Sequence, residues 1–216
     1  MATVPQQNPN QNPIGPRHLQ RIVAITNKHD NRIEKLERNS KARALVTSLP
    51  TVPYDGQEII YQADAAHGIE WRFRYNASSV LAYKWEFIGG SFISDVVNTS
   101  ETAATGGAYQ DLATVGPSVT VPFAGVYAVE FGSQNDLTVF TANRIVLTTV
   151  KIGGAAASDS NAAWASCTAA GFGGTAVRSQ LVTCAASDVL KLMYKVAADT
   201  ARWQNRWLRV TPQIVG

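Results

Sequence analysis

The sequence predicts a mainly β chain: an N-terminal self-associating helix of coiled-coil type, then a small antiparallel β meander, then a C-terminal β sandwich of jelly-roll type. Three observations carry this. Residues from Leu19 to Leu36 place a seam at alternating spacings of three and four. From Glu58 onward, short runs of alternating apolar and polar residues are separated by turn clusters. Charged residues make up only 16% of the 216 positions, against a usual share of about 25%, while Ala, Gly, Thr, Ser and Val abound, a balance suited to short strands and tight turns.

Residues 1–16, MATVPQQNPNQNPIGP, are rich in Pro, Asn and Gln and almost free of apolar side chains. They cannot build a core of their own, so an extended tail held by a partner is expected. The stalk is drawn at 17–48. Its seam consists of Leu19, Ile22, Thr26, His29, Ile33 and Leu36, the a and d positions of a heptad. The apolar stripe is narrow and the other faces are charged, which favours self-association over packing on the chain's own domain. Thr26 and His29 weaken such a seam while fixing its register. His29 reads as a stacked interior histidine, with metal binding by several copies around an axis as the alternative. The helix is expected to end at Leu49-Pro50-Thr51-Val52-Pro53, because a residue before proline is pushed out of helical geometry.

The meander is drawn at 49–90, with strands expected at Glu58–Gln62, Ile69–Tyr75 and Leu81–Ile88. Asp55-Gly56, His67-Gly68 and Asn76-Ala77-Ser78-Ser79 supply the turns. So small a unit has little core and must lean on a neighbour. Residues 91–108 read as a polar connector. In 109–216, Val119, Val121 and Phe123 alternate up to Ala124-Gly125, and Tyr127, Val129 and Phe131 alternate after it; the pattern predicts a hairpin. Further strands are expected at Arg144–Ile152, Ala176–Thr183, Val189–Val196 and Trp207–Val210, the spacing of a sandwich or jelly roll.

Nineteen basic residues against sixteen acidic ones give a net charge of +3, and the basic residues cluster in the stalk. That arrangement argues against a nucleic-acid surface. No run reaches the roughly 18–20 apolar residues of a membrane span, and no basic-then-apolar leader is present, so neither insertion nor signal-directed export is expected. Cys167 and Cys184 are too few for a disulfide scaffold and lack zinc spacing; they read as buried free thiols, with a disulfide as the alternative.

Catalytic chemistry finds little footing, and the expectation is a protein that is not an enzyme and carries no cofactor or catalytic metal. Asp64, His67 and Glu70 would share a face on a helix, but here they fall at a hairpin tip where their side chains are expected to diverge. No nucleophile elbow, zinc-protease helix or phosphate loop occurs. Asp136, Asp159, Asp188 and Asp199 are candidates for the paired carboxylates of a glycosidase, on a half of the chain where acids are sparse. Trp164 and Trp203 are candidate receptor contacts, since an exposed indole stacks on a sugar ring. The competing reading places Trp203 at a subunit interface and Trp207 in the core.

Two segments resemble known families. Leu49 to Gly90, with Tyr54-Asp55-Gly56-Gln57-Glu58, Trp71, Arg74-Tyr75-Asn76 and Tyr83-Lys84-Trp85-Glu86-Phe87-Ile88-Gly89-Gly90, resembles a small module of tail and fibre proteins of tailed bacteriophages. Ser118 to Val210 is similar to the jelly roll of complement-type and tumour-necrosis-factor-type trimers. It does so through Pro122-Phe123-Ala124-Gly125-Val126-Tyr127, Val150-Lys151-Ile152-Gly153-Gly154, Leu181-Val182, Ser187-Asp188-Val189-Leu190 and Leu208-Arg209-Val210. Ser187 stands where that family has glycine. The resemblance implies a homotrimer and, with the stalk, a structural virion protein: a head fibre, tail fibre, minor tail protein or spike. It would attach to other virion proteins through residues 1–16 and present its C-terminal domain to a host-surface glycan or protein. A non-viral trimeric lectin-like or signalling jelly roll is the alternative.

Overall fold

The computed structural model describes residues 23–32 and 45–216. Residues 23–32 are helical and exposed, so Thr26 and His29 sit on a helix; Leu19, Ile22, Ile33, Leu36 and the tail 1–16 lie outside the described residues. Residues 45–216 form one compact unit.

That unit opens with β1 (Leu45–Val46), paired in parallel with β2 (Glu58–Asp64). The segment drawn as the end of the stalk is therefore extended: β-branched Val46 and Thr47 favour a strand, and β2 offers a free edge. β2, β3 (Ile69–Tyr75) and β4 (Trp85–Gly90) form an antiparallel meander. The third strand starts at Trp85 rather than Leu81, and Val80 and Leu81 lie exposed in the loop before it.

The residues that carry the phage-like resemblance hold this meander together. Gly56 adopts φ of +75° and its N–H donates to the Tyr75 carbonyl at 2.8 Å. The Asp55 carboxylate accepts from the Ala77 N–H at 2.9 Å. Glu86 takes Arg74 on one oxygen at 3.1 Å and Asn76 on the other at 2.6 Å. A Cβ on Gly90 would come 2.3 Å from the Glu70 carbonyl, so only glycine lets β3 and β4 approach this closely.

Beyond the meander, the 16-residue β13 (Thr200–Val215) runs the length of the unit. Its end pairs with β4 at Glu86 and Trp85, which fuses the meander to the larger sheet. An aromatic cluster fills the corner: Tyr61 meets Phe123 at 4.6 Å between ring centroids, Phe73 meets Phe123 at 6.2 Å, and Trp71 meets Tyr127 at 6.5 Å. The neighbour on which the small module leans is thus the next part of its own chain.

The remaining strands are β5 (Ile93–Val97), β6 (Glu101–Ala103), β7 (Ser118–Thr120), β8 (Gly125–Val139), β9 (Arg144–Ile152), β10 (Ala162–Cys167), β11 (Gly174–Cys184) and β12 (Val189–Val196). They pair as nested hairpins. β9 with β10 is innermost, β8 with β11 encloses it, β7 with β12 encloses that, and β5 and β6 with β13 close the outside. Two further pairings, β8 with β13 and β9 with β12, roll this long hairpin into two sheets. One contains β11, β8, β13, β5 and β6 and continues into the meander; the other is ordered β10-β9-β12-β7. Rolled nested hairpins in two facing sheets are a jelly roll.

Two expectations are corrected here. Residues 91–108 are not merely a connector, because β5 and β6 lie within them and supply partners for the edge of β13. Val119–Phe123 and Tyr127–Phe131 are not a hairpin: Val119 pairs with Leu190 in one sheet and Tyr127 with Val182 in the other. Alternation reports that a strand has one buried face, not which sheet it joins. The turn at Gly125 carries the chain across, and a Cβ there would stand 2.4 Å from the Ile214 carbonyl.

The quoted jelly-roll segments also meet in space. A Cβ on Gly153 would press on the Asp188 carboxylate at 2.3 Å, and the Gly153 N–H donates to the Val189 carbonyl at 2.9 Å. Ser187 takes φ of +67°, the left-handed conformation for which glycine is suited. Cys167 and Cys184 are buried free thiols; burial pushes Cys184 up to about 11.

Candidate functional site: the two outer faces of the sandwich

Side chains directly opposite on paired strands share a face, so registers show what the larger sheet presents outward. One row reads Val177, Gly132, Trp207, Val96 across β11, β8, β13 and β5. The next reads Ser179, Glu130, Arg209, Ser94, and the next Leu181, Ala128, Thr211. Val177, Val96 and Leu181 are exposed by 52%, 53% and 67%. The Trp207 indole lies flat over Gly132, where a Cβ would sit 2.9 Å from the ring. The Arg209 guanidinium covers Trp207 at 5.0 Å and Phe92 at 4.8 Å, and reaches Glu130 at 3.6 Å. The result is an apolar surface divided by one ion pair.

The outer face of the four-stranded sheet differs. Trp164 on β10 is 62% exposed and lies opposite Leu147 on β9, which lies opposite Lys195 on β12. Lys195 binds both Asp159 oxygens at 2.8 Å and stands 5.2 Å over the Tyr109 ring. The Lys195 ammonium, and then the Tyr109 hydroxyl, hold the Asp159 carboxyl below its usual range. A flat indole beside a fixed ion pair can offer stacking and hydrogen bonding together.

The two tryptophans of β13 exchange the places expected of them. Trp203 is fully buried, its ring 5.6 Å from Tyr194, so it belongs to the core and cannot meet a receptor. Trp207 is on the outer face. Under strict alternation the two would share a face, but the register shifts between Gln204 and Trp207, and Asn205 takes φ of +47°. This β-bulge inserts one residue and inverts the parity of everything after it. Neither a bulge nor its position is visible in an apolar pattern.

The same inversion turns Arg206 inward, where it is fully buried. Its Nη1 donates to the Thr114 carbonyl at 3.2 Å, its Nη2 stands 3.5 Å from Glu101, and its guanidinium lies 5.4 Å over the Tyr194 ring. Glu101 in turn accepts from the Thr114 N–H at 3.0 Å. This buried ion pair ties β13 to β6 and to the loop before β7; the sequence analysis did not single it out.

Among the other candidates, Asp64 and His67 do not diverge. Their side chains meet at 2.7 Å, and Asp64 also accepts from the backbone N–H groups of Ala66 and His67, as a turn-stabilising aspartate does. Glu70 pairs in register with Gln62 on the neighbouring strand. Asp136 is bound by Arg202, Asp159 by Lys195 and Asp199 by Arg144. Among the described residues no group of three or more His, Cys, Asp and Glu side chains could hold a metal ion. No described helix is long and apolar enough to cross a membrane.

No protein-family model matches the chain, and no curated protein matches it. Solved structures with some likeness include Eiger TNF from S. frugiperda, at 10% identity, 58% of this chain, 95% of that one and a TM-score of 0.40. Another is the infectious bursal disease virus VP2 subviral particle, at 14% identity, 77% of this chain and a TM-score of 0.40; this chain spans 41% of its length. The Gt strain of the same virus gives 12% identity, 77% of this chain, 53% of that one and a TM-score of 0.38. The jelly-roll assignment rests on the strand pairing.

Proposed function

We propose that this chain is a non-enzymatic structural protein of a tailed-bacteriophage virion, a homotrimeric fibre or spike. Residues 1–16 attach it to other virion proteins, and the C-terminal jelly roll faces a host-surface glycan or protein. The observation that carries the reading is the exposed apolar row Val177, Trp207, Val96 with Leu181 beside it. A contiguous apolar face on a sandwich is a surface for association. A second and third copy of the chain are its occupants in this reading, in agreement with the heptad seam of the stalk and the phage-like meander. The opposite face, with Trp164, is left to meet the host.

The test is the mass of the full chain in solution by light scattering, together with antibody labelling of purified virions. A mass three times that of one chain is expected. Leu181→Glu and Val177→Glu, both at exposed positions that fold without strain, are expected to shift it toward the single chain. A wild-type protein that is monomeric at micromolar concentration would overturn the trimer, and unlabelled virions would overturn the virion location.

A further inference from the structure

The outer face of the larger sheet changes character at one end. There, Gln134 and Asp136 of β8, Thr175 of β11, Gln204 of β13 and the glycine loop before β11 line a pocket of about 290 Å³. That lies at the small end of the roughly 300–1,000 Å³ of small-molecule clefts and is room for one ring-sized ligand.

Its chemistry is restricted. Arg202 binds the Asp136 carboxylate through Nε at 3.0 Å and through Nη2, so the one formal charge in the lining is balanced and offers no pull on an ionic ligand. The Gln134 Oε1 accepts from Asn205 Nδ2 at 2.7 Å, which leaves its NH₂ group facing outward bonds. Among the described residues the Gln204 amide and the Thr175 hydroxyl make no hydrogen bond. These groups both donate and accept. Main chain forms the rest of the wall: a Cβ on Gly173 would stand 1.7 Å from the Asn135 carbonyl, and Gly171, with φ of +73°, donates to the Leu137 carbonyl at 2.8 Å. Between those two glycines Phe172 is 72% exposed, an apolar ring on the loop that borders the pocket.

We propose that this pocket binds a single neutral sugar ring. Adjacent ring hydroxyls each donate and accept, as the two glutamine amides and Thr175 require; a lone-pair acceptor is available on Asp136; and Phe172 supplies the apolar surface against which the C–H face of a pyranose packs. The glycines matter because a side chain at Gly173 would lift the loop from β8 and open the wall. The site deepens the host-attachment reading by naming a glycan as the ligand class, and it places the contact away from Trp164. Its chemistry does not depend on the trimer.

The experiment uses the full chain and saturation-transfer NMR with the methyl glycosides of glucose, galactose, mannose and N-acetylglucosamine, each at millimolar concentration, and inorganic phosphate as an anionic competitor. At least one glycoside is expected to bind without displacement by phosphate. Gln204→Ala and Thr175→Ala are each expected to weaken it roughly three- to tenfold, the effect of one hydrogen bond, while Trp164→Ala leaves it unchanged. Absence of binding by all four, displacement by phosphate, or loss in Trp164→Ala with retention in Gln204→Ala would overturn the proposal. Those outcomes leave the trimer mass and the virion labelling untouched, so the two readings fail separately.

Discussion

Replacing Arg206 by Met keeps most of the side-chain volume and removes the charge that faces Glu101. Both partners lie mostly out of water, at 0% and 12% side-chain exposure, so the cost is governed by the carboxylate left behind. Breaking a buried pair by deleting one partner costs about 3–5 kcal/mol. The Thr114 carbonyl also loses its donor, which places the expectation in the upper half of that range. For a protein of this size each kcal/mol lowers Tm by about 2–4 °C, so a fall of roughly 8–20 °C is expected by circular dichroism. Arg206→Met combined with Glu101→Met is expected to be less destabilised than the two single variants added together, because neither charge is then stranded. The pair also sets an acid limit. Burial pushes the Glu101 carboxyl up, yet the hydrogen bonds from Thr114 and the charge of Arg206 hold it below its ordinary value. Its folded pKa is therefore the lower one. The stabilisation is complete above the unfolded value of about 4.3 and is lost as pH falls through the lower folded value. Wild-type stability should drop across that acid window, and Glu101→Gln should flatten the drop. An Arg206→Met variant within about 1 kcal/mol of wild type in urea unfolding, or a double variant showing strict additivity, would refute the buried-pair argument.

Other perturbations follow from single contacts. Gly90→Ala places a methyl group against the Glu70 main chain and is expected to cost at least about 1–3 kcal/mol in denaturant unfolding. Ser187→Gly relieves a left-handed residue; relief of about 1–2 kcal/mol less the entropy of a more flexible unfolded chain, about 0.5–1 kcal/mol, leaves a gain of roughly 0.5–1 kcal/mol. The Cys184 thiol, pushed up to about 11 by burial, is expected to resist alkylation at around pH 8 in the folded protein and to react when the chain is unfolded, since the thiolate is the nucleophile; rapid native-state labelling read by mass spectrometry would contradict its burial.

How far the fold could be read from the sequence depended on the length of each signal. β9 and β12 occupy the expected ranges Arg144–Ile152 and Val189–Val196, because each alternates long enough to show one buried face. β10, whose sequence is AAWASC, was read as an Ala-rich break, since small side chains carry a weak pattern. β5 and β6 were hidden by length, at five and three residues, and by Ser, Asp, Glu and Thr on strands that line the end of a sheet. Glycine positions were legible as turns but not as close approaches: Gly132 is mid-strand, and only the indole lying on it explains why no side chain is present. At the candidate sites, Trp164 was legible by residue type, whereas the exchange of Trp203 with Trp207 and the buried Arg206 all follow from the bulge at Asn205.

That bulge links fold to the proposed assembly. Without the extra residue, Trp207 would share the interior face with Trp203, and Arg206 would point to solvent on the face that now carries the apolar row. The insertion simultaneously delivers an indole to the outer surface, where it lies on Gly132, and drives a guanidinium into the interior, where Glu101 and Thr114 receive it. The two consequences support each other: the buried ion pair fixes the bulge, and the fixed bulge holds Trp207 flat. A variant that loosens Arg206 should therefore weaken self-association even though Arg206 is buried within its own chain. Arg206→Met at a temperature below its Tm, run beside wild type by light scattering, is expected to show a raised dissociation constant. An unchanged constant would mean that Trp207 keeps its place on the sheet without the clamp, and that assembly depends on the apolar row alone.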